Sequence, residues 1–324
     1  MLPGPVRVGL DVGGSTVEGV ALGPRDEVLA TCRRRTTPGV DGVVESAAGA
    51  VAELVDRTGG PPEHVGVGVP GLVDPLAGTV RSAVNLRLGP DPVALADRLG
   101  TALGGVPVTL ENDVKAVTWG AWNLLAPDGD LALLSLGTGV AAGLVVGGVL
   151  QRGTASAAGE VGHLSVDPAG QRCGCGQRGC LETVAAGSAL RRAWPHGEPG
   201  REAGHLFAAA AAGDPAAVRV ADSWAAGVAL AVRTLVLTVD PALVVLAGGV
   251  TQVGPPVLHA VGRALDRQAG DSEFLRGLRT AQRLVLLPAD RPVAAIGAAT
   301  GTVGPWIRPS IGPSIRPGAS ARSR

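Results

Sequence analysis

The chain has no tyrosine, two phenylalanines and five tryptophans among its 324 residues. Its core must therefore be assembled from Val, Leu and Ala rather than from aromatic rings. Neither sign of charge is in excess, since 28 basic residues balance 28 acidic ones. Bulk electrostatic attraction to nucleic acid or to an anionic membrane is excluded on that balance. No uninterrupted apolar run reaches the roughly 18 residues of a membrane span. Segments such as Leu131–Leu134 and Leu243–Leu246 are short and lie among glycines and prolines, as buried strands do. Pro3, Pro5 and Arg7 interrupt any apolar leader, so a cytoplasmic chain is expected. Lysine is almost missing: Lys115 is the lone example, and every other basic side chain is Arg. With the abundance of Ala, Gly and Pro, this is the composition of a GC-rich genome, which speaks to codons rather than to function.

Cysteine is also scarce, and its placement is informative. Of four cysteines, Cys32 stands alone and is expected to be an inert small residue. The other three, Cys173, Cys175 and Cys180, crowd into EVGHLSVDPAGQRCGCGQRGCLE, with His163 ten residues before the first. Three thiols and an imidazole make a full tetrahedral zinc set and leave no position for water, so such a metal would be structural. Gly174, Gly176 and Gly179 let the backbone turn between ligands. The alternative is a disulfide with one spare thiol, which a reducing compartment disfavours. Two carboxylates, Glu160 and Glu182, bracket the cluster.

A chain of this length is long for one core, so two domains are expected. Apolar runs at Val6–Leu10, Val17–Leu22, Val65–Val69, Val106–Leu110, Leu131–Leu136, Ala142–Val146, Leu243–Leu246 and Leu284–Leu287 predict strands. Helical spacing predicts helices over Val40–Thr58, Pro92–Leu103, Val114–Leu125 and Val293–Thr300. It predicts two more within Ala208–Val239, split at Gly213-Asp214-Pro215. Strands alternating with helices indicate an α/β fold. The strand–glycine turn–strand pattern occurs twice, at Asp11–Ser15 and Gly137–Gly139, which hints at two similar halves. From Gly304 the Pro, Ser, Arg and Gly composition predicts disorder, with a polyanion contact as the alternative.

Asp11-Val12-Gly13-Gly14-Ser15-Thr16 sets a carboxylate at a strand end before two residues without Cβ. Backbone amides of such a turn can approach phosphate oxygens, Ser15 and Thr16 add hydroxyls, and Asp11 could orient hydrated magnesium. A plain hairpin turn explains Gly-Gly equally well. The turn is neither a Walker A loop nor a G-x-G-x-x-G fingerprint. Gly137-Thr138-Gly139 and Gly248-Gly249 repeat the theme, and together the three turns suggest a nucleotide held between two lobes. Glu111-Asn112-Asp113 sits where a strand passes into a helix. Asp113 is the obvious N-cap there and also a candidate base. Asn112, Glu160, His163 and Glu182 offer the short, fixed donors and acceptors that a polyol needs. A zinc-bound imidazole would keep a proton on its other nitrogen for a ligand.

On the motifs DVGGS, VPGLVD, ENDV, LGTG, AGEVGH, CGCGQRGCLE and VVLAGG, the chain resembles the repressor–ORF–kinase (ROK) sugar kinases of the actin-like ATPase superfamily, from roughly Val6 to Thr300. The resemblance implies a two-lobed actin-like (ribonuclease H-like) α/β fold with a structural zinc loop, 160–182, in the larger lobe. It places the small lobe at 1–113, completed by a helix at 293–303, and the large lobe at 114–292. It implies ATP- and magnesium-dependent phosphorylation of a hexose, glucose first, with N-acetylmannosamine, N-acetylglucosamine, fructose, mannose and allose as alternatives. Asp113 is the implied base. Gly71, Asn85, Asn112, Asp113, Glu160, His163 and Glu182 are the implied sugar contacts, and His163, Cys173, Cys175 and Cys180 the zinc ligands. Asp11, Gly13, Gly14, Ser15, Thr16, Gly137, Thr138 and Gly139 match the phosphate turns, and Gly248 and Gly249 the adenosine side. A homodimer or higher oligomer is implied, with no nucleic-acid or membrane partner. The family also holds sugar-responsive repressors, but a first strand near Val6 leaves no room for a helix-turn-helix. Three residues depart from the common pattern: Thr16, Ala141 and Lys115. Ala141 would narrow the second phosphate turn, and Lys115 is expected to point to solvent from the first helical turn.

Overall fold

The computed structural model describes residues 5–301; the expected disordered tail lies outside them. The chain builds one meander and then reuses it. Arg7–Val12 (β1), Thr16–Leu22 (β2) and Val28–Arg35 (β3) run antiparallel in sequence. The helix Val40–Thr58 (α1) matches its expected bounds, because Val43, Ala47, Val51 and Leu54 recur on one face and are buried. It ends on a left-handed Gly59. His64–Val69 (β4) then pairs parallel with β1. A small hairpin, Leu72–Asp74 (β5) with Thr79–Arg81 (β6), and the helix Leu95–Ala102 (α2) follow. Val108–Asn112 (β7) pairs parallel with β4 and closes a sheet of order β3-β2-β1-β4-β7.

The helix Asp113–Leu125 (α3) leads into the repeat. Leu131–Leu136 (β8), Val140–Val146 (β9) and Val149–Leu150 (β10) form a second antiparallel meander. The helices Glu182–Ala185 (α4), Gly187–Ala193 (α5), Glu202–Ala211 (α6) and Pro215–Val239 (α7) come next. The expected break at Gly213-Asp214-Pro215 is real: Asp214 caps α7 by accepting from Ala216 and Ala217 amides, with Pro at its first turn. Leu243–Ala247 (β11) adds parallel to β8. Beyond Pro255–Ala269 (α8) and Glu273–Gly277 (α9), Leu284–Leu286 (β12) adds parallel to β11. The second sheet reads β10-β9-β8-β11-β12, the same arrangement as the first. The hint of two similar halves is therefore borne out. By length and composition α7 alone, among the described residues, could cross a membrane, yet Trp224, Val228, Val232 and Leu235 bury it against the second sheet.

Val293–Thr300 (α10) joins the halves. Its Ala295 and Ala299 pack on Val20 and Leu22 of the first sheet, and its Val293 joins a cluster with Leu131, Leu133 and Val245 of the second. The packing is close enough that a Cβ at Gly66 would lie 1.8 Å from the Ala298 carbonyl oxygen. The strand at β3 escapes the sequence pattern because it is a mostly exposed edge ending in three arginines.

Candidate active site

Each sheet offers a hairpin turn at the same place, and the functional residues gather around the two turns. In the first, the Gly13 amide donates to the Thr16 carbonyl (2.9 Å) and Thr36 Oγ1 donates to the Gly13 carbonyl (2.7 Å). Gly14 is pressed by Asn85: a Cβ there would meet Asn85 Cβ at 2.9 Å and its carbonyl oxygen at 3.0 Å. Asn85 thus lies over the first glycine turn and is exposed. Thr16 begins β2, opposite Arg35. Asp11, Gly13, Ser15 and Thr16 line a groove of about 750 Å³ whose other wall includes Gln252 and Arg291 from the second half.

The β7–α3 junction supplies Asn112 and Asp113. Here the N-cap expectation is corrected. Asn112 caps α3, its Oδ1 accepting from the Lys115 amide (3.2 Å), while Asp113 is the first helical residue and accepts from the Val114 amide (2.8 Å). The extended backbone of Asn112 is what a cap requires, and its Nδ2 is also committed to the Gly71 carbonyl (3.1 Å). Gly71 therefore enters the site through its backbone. Burial raises the Asp113 pKa above the ordinary carboxylate value; Glu160 adds to this, while the Val114 amide and Lys115 oppose it. Asp11 is pushed up to about 7, first by burial, then by Asp113 and Glu18. Two acids so placed, one raising the other, make a charge environment that a cation would relieve.

Lys115 overturns its expectation. It is 3% exposed, and its Nζ donates to the Ser156 carbonyl (3.0 Å). The first turn of α3 faces the 152–158 segment instead of solvent, and Glu111 and Glu160 compensate the charge. Burial still lowers the lysine pKa. Glu111, whose role the linear sequence hides, is buried. Its Oε1 accepts from the Asn112 amide (3.0 Å) and its Oε2 from Arg152 Nε (2.7 Å).

Around the second turn, Gly137 accepts from the Gly187 amide (2.8 Å) and Thr138 is exposed. A Cβ on Gly139 would lie 2.8 Å from Glu182 Oε2, so the zinc-loop carboxylate touches this turn. Ala141 lies beyond it, in β9 opposite Ser135. Gly248 packs on the Leu136 backbone, and Gly248-Gly249 leads into a short 3-10 turn before α8.

The thiol cluster forms as expected. The ligand atoms of His163, Cys173, Cys175 and Cys180 all lie within 4.8 Å of one another. Cys175 and Cys180 sulfurs are 3.6 Å apart, and Cys173 Sγ is 3.8 Å from His163 Nδ1. A tetrahedron with Zn–S near 2.3 Å has sulfurs about 3.8 Å apart, so the set fits zinc. All four cysteines are free thiols. Cys32, also buried, keeps apart from the cluster. His163 turns its other nitrogen, Nε2, toward Glu160 Oε2 (3.9 Å). Cys173 Sγ donates to Glu182 Oε1 (2.9 Å), and burial together with this bond pushes that thiol up to about 12.

Comparison with known proteins agrees with this geometry. The ROK family model matches residues 7–284. The glucokinase of Thermotoga maritima is 33% identical over 268 residues, 76% of this chain and 83% of that protein. An N-acetylmannosamine kinase of Citrobacter koseri is 38% identical over 149 residues, 46% of this chain and 51% of its own. A crystal structure of a ROK family glucokinase from Streptomyces griseus in complex with glucose and AMPPNP superposes with a TM-score of 0.74 at 28% identity, covering 91% of this chain and 98% of that one. The chain belongs to the ROK family.

Proposed function

We propose that glucose is the acceptor of this ATP-dependent sugar kinase and that its product is glucose 6-phosphate. Glucose rests on the similarity to the Thermotoga maritima glucokinase, and one observation carries the transfer chemistry. Asp113 is enclosed at the β7–α3 junction, close in charge to Asp11 and Glu160 and beside an Asn112 fixed by two hydrogen bonds. In this reading Asp113 accepts the proton of the sugar hydroxyl as that oxygen attacks the γ-phosphorus. The bond from the γ-phosphorus to the bridging β-phosphate oxygen breaks, and ADP leaves. The amides of Gly13, Gly14, Gly137 and Gly139 and the hydroxyls of Ser15, Thr16 and Thr138 receive the phosphates, and Gly248 and Gly249 border the adenosine. Asp11 would hold magnesium, which when bound would supply charge neutralisation for the transferring group. Gly71, Asn85, Asn112, Glu160, His163 and Glu182 read the sugar hydroxyls, and His163 Nε2 can donate while Nδ1 faces the thiols. The first sheet with α10 serves as the small lobe, and the second as the large lobe.

Zinc in this reading is a brace. Cys175→Ser is expected to lower bound zinc from about one per chain and to weaken sugar binding together with it. Full sugar affinity without metal would remove the brace. N-acetylmannosamine is the second reading, favoured by the similarity to the Citrobacter koseri enzyme. A panel of hexoses and N-acylhexosamines with ATP and magnesium, ranked by kcat/KM, tests the choice. Glucose is expected to lead; a panel led by N-acetylmannosamine would replace it.

A further inference from the structure

The segment between β10 and Glu160 stands on β9 as a closed loop. It leaves where the Gln151 amide donates to the Leu144 carbonyl (2.8 Å), and it returns where the Ala142 amide donates to the Gly159 carbonyl (2.7 Å). Between those points residues 152–158 reach away from their own sheet. Inside the loop Ser156 donates to the Gly153 carbonyl (3.3 Å) and Ala158 to the Arg152 carbonyl (3.1 Å). Outside it, two polar ties are present among the described residues. Arg152 Nε donates to Glu111 Oε2 (2.7 Å), and Lys115 Nζ donates to the Ser156 carbonyl (3.0 Å).

Both ties end two residues to either side of Asp113: Glu111 is the penultimate residue of β7, and Lys115 lies in the first turn of α3. Neither is a surface contact. Lys115 is 3% exposed and Glu111 8%. Ser156 adopts a left-handed backbone (φ 58°), uncommon for a residue with a side chain and sustained only by its surroundings. A buried ammonium aimed at that carbonyl is such a surrounding. The loop then delivers Glu160 to the other side of the cleft, where its charge is felt by both Lys115 and Asp113.

We propose that Lys115 and Arg152 form a charged clamp that holds loop 152–158 against the β7–α3 junction and so fixes the distance between Glu160 and Asp113. They are positioning residues for the sugar, not catalytic ones. The sugar part of the inference rests on the kinase reading above; the clamp itself does not. The anchoring partners lie together at the β7–α3 junction, and each tie reaches a loop residue 41 positions further along the chain, so the clamp closes only when the junction and the second meander are assembled.

The test compares Lys115→Met, which keeps the volume and removes the charge, with the unaltered full-length chain. Backbone hydrogen exchange at 153–158 is expected to rise about tenfold, with α1 and α7 unchanged. The sugar KM is expected to rise about tenfold, kcat to fall by less than about threefold, and the KM for ATP to stay put. A purely structural defect would instead lower the amount of folded enzyme and leave KM alone. Should Lys115→Met not fold, the paired variant Glu111→Gln with Arg152→Gln removes the other tie without changing the net charge, leaving Glu160 to compensate Lys115, and the same signature is expected. Unchanged exchange at 153–158 overturns the clamp. Faster exchange with an unchanged sugar KM overturns the positioning role. If the unaltered chain phosphorylates no sugar, the kinase reading fails while the exchange result still judges the clamp.

Discussion

The two sheets share one arrangement but carry different loads. The first puts carboxylates at its strand ends: Asp11 beside its glycine turn and Asp113 just past β7. The second puts no ionisable group in its turn, Gly137-Thr138-Gly139, where the carboxylate of Glu182 comes against Gly139. A repeated meander thus supplies two backbone turns, while the buried carboxylates belong to one. In the proposed reading both turns bind and only the first half carries the proton transfer.

Four substitutions probe that asymmetry, from the largest expected effect to the smallest. Asp113→Asn keeps the shape of the junction and removes the proton acceptor, so kcat should fall about a thousandfold. A loss below tenfold would move the base elsewhere. Next come the two turns compared directly. In Gly14→Ala the new methyl meets Asn85 Cβ and backbone, which cannot rotate away. In Gly139→Ala it meets the Oε2 end of the Glu182 side chain, which can yield because a single bond from Cys173 to its other oxygen holds it. The KM for ATP should rise about tenfold for Gly14→Ala and about threefold or less for Gly139→Ala, on the usual cost of overpacking. Equal effects would erase the distinction between the turns.

The smallest effect is on stability. Asp11 is raised to about 7 in the folded chain, whereas the unfolded group titrates near its ordinary value of 3.8. Between those pH values the folded state holds the extra proton, so this group costs stability as pH rises, with the full cost above about 7. Without magnesium, Asp11→Asn should therefore raise Tm by a few degrees at pH 8 and leave it unchanged below pH 4. A lower Tm at pH 8 would mean that Asp11 is held by partners rather than burdened by burial.

Much of this was legible in the sequence because it is local. The four zinc-set residues lie within 18 positions, and α1 announces itself by the spacing of Val43, Ala47, Val51 and Leu54. Both glycine turns follow apolar strands. What escaped depends on distant partners. Lys115 read as solvent-facing because lysines usually are; its burial needs Ser156 and Glu160 from another part of the chain. Glu111 looked like a strand end until Arg152 reached it. The cap passed from Asp113 to Asn112 because capping is set by backbone dihedrals, and both residue types can cap.

The central claim is that Asp113 serves the transfer of the phosphoryl group and not the grip on the sugar. Calorimetric titration of glucose into Asp113→Asn, without nucleotide, tests it most directly. The account predicts a Kd within about threefold of the unaltered protein, since Asn keeps the shape of the side chain and an oxygen that can accept the same hydrogen bond. Loss of glucose binding in proportion to the loss of turnover would contradict it.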